Sequence, residues 1–121
     1  MKKFWPGPLT LVFRSSLLSR IATGGRDTVA IRLPKDKFLQ KTMKATGMPL
    51  ASTSANLSGH PSLSSAKEAI RLFKGKVDAI VDAGKTPLGI ASTVLDLSSF
   101  PYTVRREGAI PKQKLYEVVH S

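Results

Sequence analysis

Ser52-Thr53-Ser54-Ala55-Asn56-Leu57-Ser58-Gly59 packs hydroxyls, an amide and a glycine into one run that directly follows the apolar stretch Met48-Pro49-Leu50-Ala51. Small side chains let backbone N–H groups approach an anion, and the hydroxyls add further donors. The same residue types also build Asx and Ser/Thr turns that only satisfy local backbone. Thr28 and Arg32 form a second grouping, because a strand with period two puts both on the face that carries Ala30. An arginine there can clamp a carboxylate or a phosphate bidentately, or simply stand exposed at an edge. Gly89-Ile90-Ala91-Ser92-Thr93 and Arg105-Arg106-Glu107-Gly108 repeat the theme of hydroxyls, glycines and arginines at strand ends. Taken together, these clusters suit a polar, anionic small molecule.

Other chemistries fail on residue type or spacing. Gly84-Lys85-Thr86 looks like the end of a phosphate-binding P-loop, but Ala79 occupies the position of the first glycine and Pro87-Leu88-Gly89 blocks the helix that must follow. His60 and His120 have no second imidazole or carboxylate at ligand spacing, so a metal site built on them is not expected. Asp78, Asp82 and Asp96 are expected at strand ends, where turn formation and ion pairing are commoner than acid/base catalysis. With no cysteine, thiolate chemistry and disulfides are excluded.

These groups need a scaffold, and the pattern predicts one. Leu9–Phe13 reads as a strand after the Pro6-Gly7-Pro8 turn, followed by a basic, glycine-containing loop from Arg14 to Asp27. Thr28–Leu33 reads as a strand ended by Pro34, and residues 35–45 as a helix stopped near Gly47. A short strand over Met48–Ala51 would deliver the Ser/Asn loop. Ser65-Ala66-Lys67-Glu68 is a capping box that opens a helix with Ala66, Ala69, Ile70 and Phe73 on its apolar side, ending at Gly75. Val77–Val81, Thr93–Leu97 and Tyr102–Arg106 read as strands, and Pro111 opens a last helix burying Leu115 with Val118 or Val119. Alternating strands and helices imply an α/β or α+β sheet around one core.

At 121 residues, with 41% hydrophobic and 22% charged, the chain suits a single globular domain. No apolar run is long enough to span a bilayer and Pro6 interrupts any signal-peptide core, so a soluble, cytoplasmic protein is expected. The net charge is +11. Residues 1–50 carry Lys2, Lys3, Arg14, Arg20, Arg26, Arg32, Lys35, Lys37, Lys41 and Lys44 against Asp27 and Asp36. Such a field favours polyanions, but an ordinary solvated face explains it equally well.

Several motifs together carry a resemblance. Phe4-Trp5-Pro6-Gly7-Pro8-Leu9-Thr10, Thr28-Val29-Ala30-Ile31-Arg32-Leu33-Pro34, Pro49 with the Ser52–Gly59 run, Asp82-Ala83-Gly84 with Gly89, Ser92-Thr93-Val94, and Arg106 with Gly108 occur in that order. In order and approximate spacing they resemble the YrdC-like threonylcarbamoyl-AMP synthase family over nearly the whole chain. The resemblance implies a YrdC-like twisted open sheet with flanking helices, and an enzyme that joins L-threonine, bicarbonate and ATP into threonylcarbamoyl-adenylate with release of pyrophosphate. The product would serve tRNA threonylcarbamoyladenosine modification through downstream threonylcarbamoyl-transfer proteins. By the same resemblance Thr28, Ser52, Ser54, Ser62 and Arg106 contact ATP, Arg32 and Ser92 the threonine, and Asn56 supports the loop. Magnesium is expected with the ATP, without a protein cage for it.

The chain also departs from that family's pattern. The family's opening segment, with a Pro-Thr-Glu/Asp-Thr-like strand and a Lys-x-Arg element, has no counterpart here. Residues 1–121 are therefore expected to be a partial YrdC-like domain, weak or inactive by itself. Glu107 stands where proline is common, and Ala91 where glutamate is common. Two other classes remain open: a non-catalytic module binding double-stranded RNA or tRNA, and a degenerate fragment.

Overall fold

The computed structural model describes residues 3–56, 59, 63, 65–84 and 90–119, with the side chain of Val119 excepted. It divides into two compact units, residues 1–50 with 90–121, and residues 51–89.

The first unit is built on a four-stranded sheet in the order β2-β1-β3-β4. Its strands are β1 (Leu9–Arg14), β2 (Thr28–Arg32), β3 (Thr93–Asp96) and β4 (Thr103–Arg106). β1 pairs antiparallel with β2 and parallel with β3, and β4 closes the other side antiparallel to β3. The sheet is therefore mixed, and with its helices it falls in the expected α/β or α+β class.

Strand alternation divides the sheet into two unlike faces. Leu9, Leu11 and Leu95 point to one face and are buried with Ile110 and Leu115, while Phe4, Trp5, Phe13, Leu97 and Val104 pack around them. Leu115 comes from the closing helix α4 (Lys112–Val119), as its position after Pro111 predicts. An apolar cavity of about 240 Å³, lined by Phe4, Leu9, Leu95, Leu97, Tyr102, Leu115 and Val118, opens on this side. The buried Thr93 hydroxyl ties the closing segment to β3: it donates to the Ile110 carbonyl at 2.7 Å and accepts from the amides of Gly108 and Ile110 at 3.0 and 2.9 Å. Every polar atom of that hydroxyl is thus satisfied in a site where an orphan would be costly.

α1 (Leu17–Ala22) lies within the stretch expected to be loop. Ser16 caps it by accepting from the Ser19 amide, and its basic Arg20 pairs with Asp27 at 2.6 Å. Six residues with one capping serine fall below the length at which periodicity separates a helix from a loop. α2 (Lys37–Thr46) follows expectation, with Asp36 as N-cap and Gly47 at φ 67° as its left-handed stop. In the second unit α3 (Ala66–Phe73) starts as the capping box predicts, the Ser65 hydroxyl accepting from the Glu68 amide at 3.4 Å.

Two expected strands are not strands. Residues 48–51 and 77–81 pair with no strand among the described residues. Met48, Leu50, Val77 and Val81 are all exposed, and Pro49 has no N–H to give a ladder. β-branched and apolar residues favour a strand only where a partner and a packed face exist, and among the described residues these positions have neither.

Candidate functional site

The sheet face turned away from the leucine core carries the polar residues. Register places Arg32 opposite Thr10, Thr10 opposite Val94, and Val94 opposite Arg106, so these side chains form one row across all four strands. Residues directly opposite share a face, and neighbouring strands lie about 4.8 Å apart, which makes the row about 14 Å wide. Ser92, two residues before Val94, joins the row through its side chain.

Hydrogen bonds fix this arrangement. The Thr10 and Ser92 hydroxyl oxygens are 2.8 Å apart. Arg106 donates from Nε and Nη2 to the Ser92 carbonyl at 3.1 and 3.0 Å, and from Nη2 to Ser92 Oγ at 3.3 Å. Arg32 Nε donates to the Gly7 carbonyl at 3.1 Å, while the Gly7 amide donates to the Leu33 carbonyl at 2.8 Å. The Pro6-Gly7-Pro8 turn is thereby anchored to the end of β2 and steadies Arg32. Ser92 is buried, whereas Arg32 and Arg106 are exposed, giving a hydroxyl floor between two guanidinium walls.

Two glycines make this geometry possible. A Cβ at Gly108 would lie 2.8 Å from the Ser92 carbonyl oxygen and closer still to that of Ala91. The closing segment can therefore reach the backbone beside Ser92 only with glycine at that position. A Cβ at Gly7 would collide with the Phe4 carbonyl oxygen at 2.5 Å.

Arg105 and Arg106 diverge because the β3–β4 register shifts between Val94 and Leu95: Val94 pairs with Arg106 and Leu95 with Val104. Arg105 is the extra residue of this bulge, a device that re-aims side chains. It donates from Nε to buried Asp96 at 2.9 Å. Asp96 also accepts from the Ser98 hydroxyl at 2.6 Å and the Ser98 amide at 2.8 Å. These Ser98 bonds, then Arg105, hold the Asp96 carboxyl below the ordinary aspartate range against the opposing effect of burial. A carboxylate so engaged is a structural clamp, in line with the turn and ion-pair role expected of it. Asp82 likewise caps a turn, accepting from the Gly84 amide at 2.9 Å.

Thr28 shares the polar face but pairs with Arg14, four residues along β2 from Arg32 and about 13 Å from it. Arg14 Nε donates to the Ser98 carbonyl at 2.8 Å, so Thr28 neighbours the Asp96 clamp rather than the Ser92 row. Ser52, Ser54 and Asn56 belong to the second unit. There Ser52 and Ser54 are exposed and Asn56 is half-buried, its amide donating to the Ser54 carbonyl at 3.0 Å in a tight turn. Ser62, with His60, His120 and Gly89, lies outside the described residues.

The sequence motif contains Thr10 without marking a role for it. Its signal was present: it is the one polar residue in Leu9–Phe13, out of phase with Leu9 and Leu11.

Comparison with known proteins bears on this site. Residues 1–108 match the profile of the Sua5/YciO/YrdC family, described under telomere recombination. The chain belongs to the Sua5/YrdC family. Among its relatives, the threonylcarbamoyl-AMP synthase of Pyrococcus abyssi is 43% identical over 98% of this chain and 35% of its own length. That of Bacillus subtilis is 39% identical, again over 98% and 35%. A crystal structure of P. abyssi Sua5 complexed with L-threonine superposes with a TM-score of 0.89 at 43% identity, over 98% of this chain and 35% of that one. The Sua5-like fold is therefore shown, and the chain spans about a third of the length of these relatives. Among the described residues no helix is long and apolar enough to cross a membrane, and no group of three or more His, Asp or Glu side chains is placed to hold a metal ion.

Proposed function

We propose that this chain carries part of a threonylcarbamoyl-AMP synthase site, with the Arg32–Thr10–Ser92–Arg106 row as its substrate-binding floor. The observation that carries the reading is this polar row on a sheet that superposes on a threonine-bound relative. Arg32 has both Nη groups to offer an amino-acid carboxylate, and Ser92, beyond Thr10 in the same row, takes part in holding the threonine. The family resemblance assigns Arg106, Thr28, Ser52, Ser54 and Ser62 to the nucleotide, and Asn56 to support of the loop that bears Ser54.

The amine of L-threonine and bicarbonate form a carbamate with loss of water, and a carbamate oxygen attacks the α-phosphorus of ATP. The P–O bond to the β-phosphate breaks and pyrophosphate leaves. Such a transfer needs alignment of the reactants and neutralisation of phosphate charge more than an acid or base, which suits a site rich in arginine and hydroxyl groups. Magnesium enters with ATP as part of the substrate. The product supplies the threonylcarbamoyl group to tRNA through further transfer proteins, and the reaction is placed in the cytoplasm.

The chain spans about a third of the length of these relatives, and full synthase activity is not expected of it by itself. Calorimetric titration with L-threonine tests the reading: binding is expected, weakened tenfold or more by Arg32→Ala with little change in melting temperature. Equal affinity in wild type and variant would refute the role of Arg32. Pyrophosphate release at the rate of a longer relative would refute the expectation of weak activity.

A second reading rests on α2, where Lys37, Lys41 and Lys44 are all exposed at helical spacing on one side. That stripe suits the phosphates of double-stranded RNA or tRNA. Binding that falls steeply with salt and ignores ATP and threonine would favour it.

A further inference from the structure

We propose that Thr10 is a positioning residue that sets the Ser92 hydroxyl as a donor toward the bound amino-acid carboxylate, and so links the threonine side of the site to Arg106. The inference rests on the threonine reading above and adds a residue to it.

Protons and lone pairs at Ser92 decide the direction of these bonds. Ser92 Oγ has one proton and two lone pairs. Arg106 can only donate, and its Nη2 at 3.3 Å takes one of those lone pairs. Thr10 lies 2.8 Å away, and either hydroxyl can supply the proton between them. If Ser92 donated to Thr10, it would have no proton left for a ligand. If Thr10 donates, both lone pairs of Ser92 are filled and its proton is free. A carboxylate is an acceptor only, so its binding at Ser92 selects the arrangement in which Thr10 donates.

Position supports the same role. Thr10 stands in β1, an interior strand of the sheet, flanked by buried Leu9 and Leu11, so its backbone is held on both sides. Ser92 is itself buried, where an unfilled lone pair is costly and a freely rotating hydroxyl would give up its direction. The Ser92 carbonyl accepts two Arg106 bonds, so disorder at Ser92 also loosens the guanidinium.

The test compares Thr10→Val, which keeps shape and β-branching but loses the hydroxyl, with Thr10→Ser, which keeps the hydroxyl. Three readouts are taken on the whole chain: melting temperature, solvent exchange of the Arg106 Nε–H by NMR, and L-threonine affinity by calorimetry. Thr10→Val is expected to melt near wild type, to speed Arg106 Nε–H exchange several-fold, and to weaken L-threonine binding by about threefold to tenfold, the range for one lost hydrogen bond. Thr10→Ser is expected to restore both. A folded Thr10→Val with unchanged exchange and unchanged affinity overturns the proposal, as does a loss of affinity that only tracks a loss of fold. If wild type binds no L-threonine while the exchange result holds, the threonine reading falls and the ordering of Ser92 and Arg106 by Thr10 stands.

Discussion

The two faces of one sheet differ more than any two elements of this molecule. On one face Leu9, Leu11 and Leu95 are at most 2% exposed and meet Leu115. On the other, Thr10 of β1 stands in one row with Arg32 of β2 and Arg106 of β4, the two arginines open to solvent. The leucine face holds the strands in register, and that register alone brings four separated sequence segments into one row. Stability and binding should therefore respond to different substitutions only one residue apart.

The largest effect expected is on the leucine face. Leu11→Ala removes a fully buried side chain from β1 and should cost about 2–5 kcal/mol in denaturant unfolding. A loss within 0.5 kcal/mol would mean that this face does not form the core. Gly108→Ala tests the join between the faces, because the added methyl meets the Ala91 and Ser92 carbonyl oxygens. It should destabilise by about 1–3 kcal/mol and also shift the NMR signals of Ser92 and Arg106. A stable Gly108→Ala with unmoved signals would break the proposed dependence of the site on this close approach.

A smaller effect concerns the clamp at the far end of the polar face. Asp96 has a carboxyl depressed in the folded state, so it binds its proton less readily there than in the unfolded chain. Its stabilising effect is present above the ordinary aspartate value, near pH 4, and is lost as pH falls through the lowered folded value. Asp96→Asn should cost about 1–2 kcal/mol at neutral pH and flatten the decline of stability in acid, followed by thermal melts across pH 2–6. An unaltered acid profile would show that another group governs that decline.

Much of the fold is legible in the sequence itself. β1, β2, β3 and β4 are legible because alternation and turn residues agree there, and α2, α3 and α4 because caps or Pro111 mark their ends. The strands expected at 48–51 and 77–81 failed for a physical reason: a run of apolar residues does not state whether a partner strand exists. α1 was missed because six residues cannot display a period. For the site, Arg32, Ser92 and Arg106 were named from the sequence, and the structure brings them into one row. Thr10 escaped because its importance lies in register with β2 and β3, which no single segment encodes. Thr28 shares their face, yet its place four residues from Arg32 became visible only with the pairing of Arg14.

The most direct test of the central claim is an NMR titration of the chain with L-threonine, following assigned signals on both faces. The account predicts saturable shifts at Thr10, Arg32, Ser92 and Arg106, with Leu11, Leu95 and Leu115 nearly unmoved. Shifts confined to the apolar cavity around Phe4, Tyr102 and Leu115, or no saturable shift at all, would contradict it.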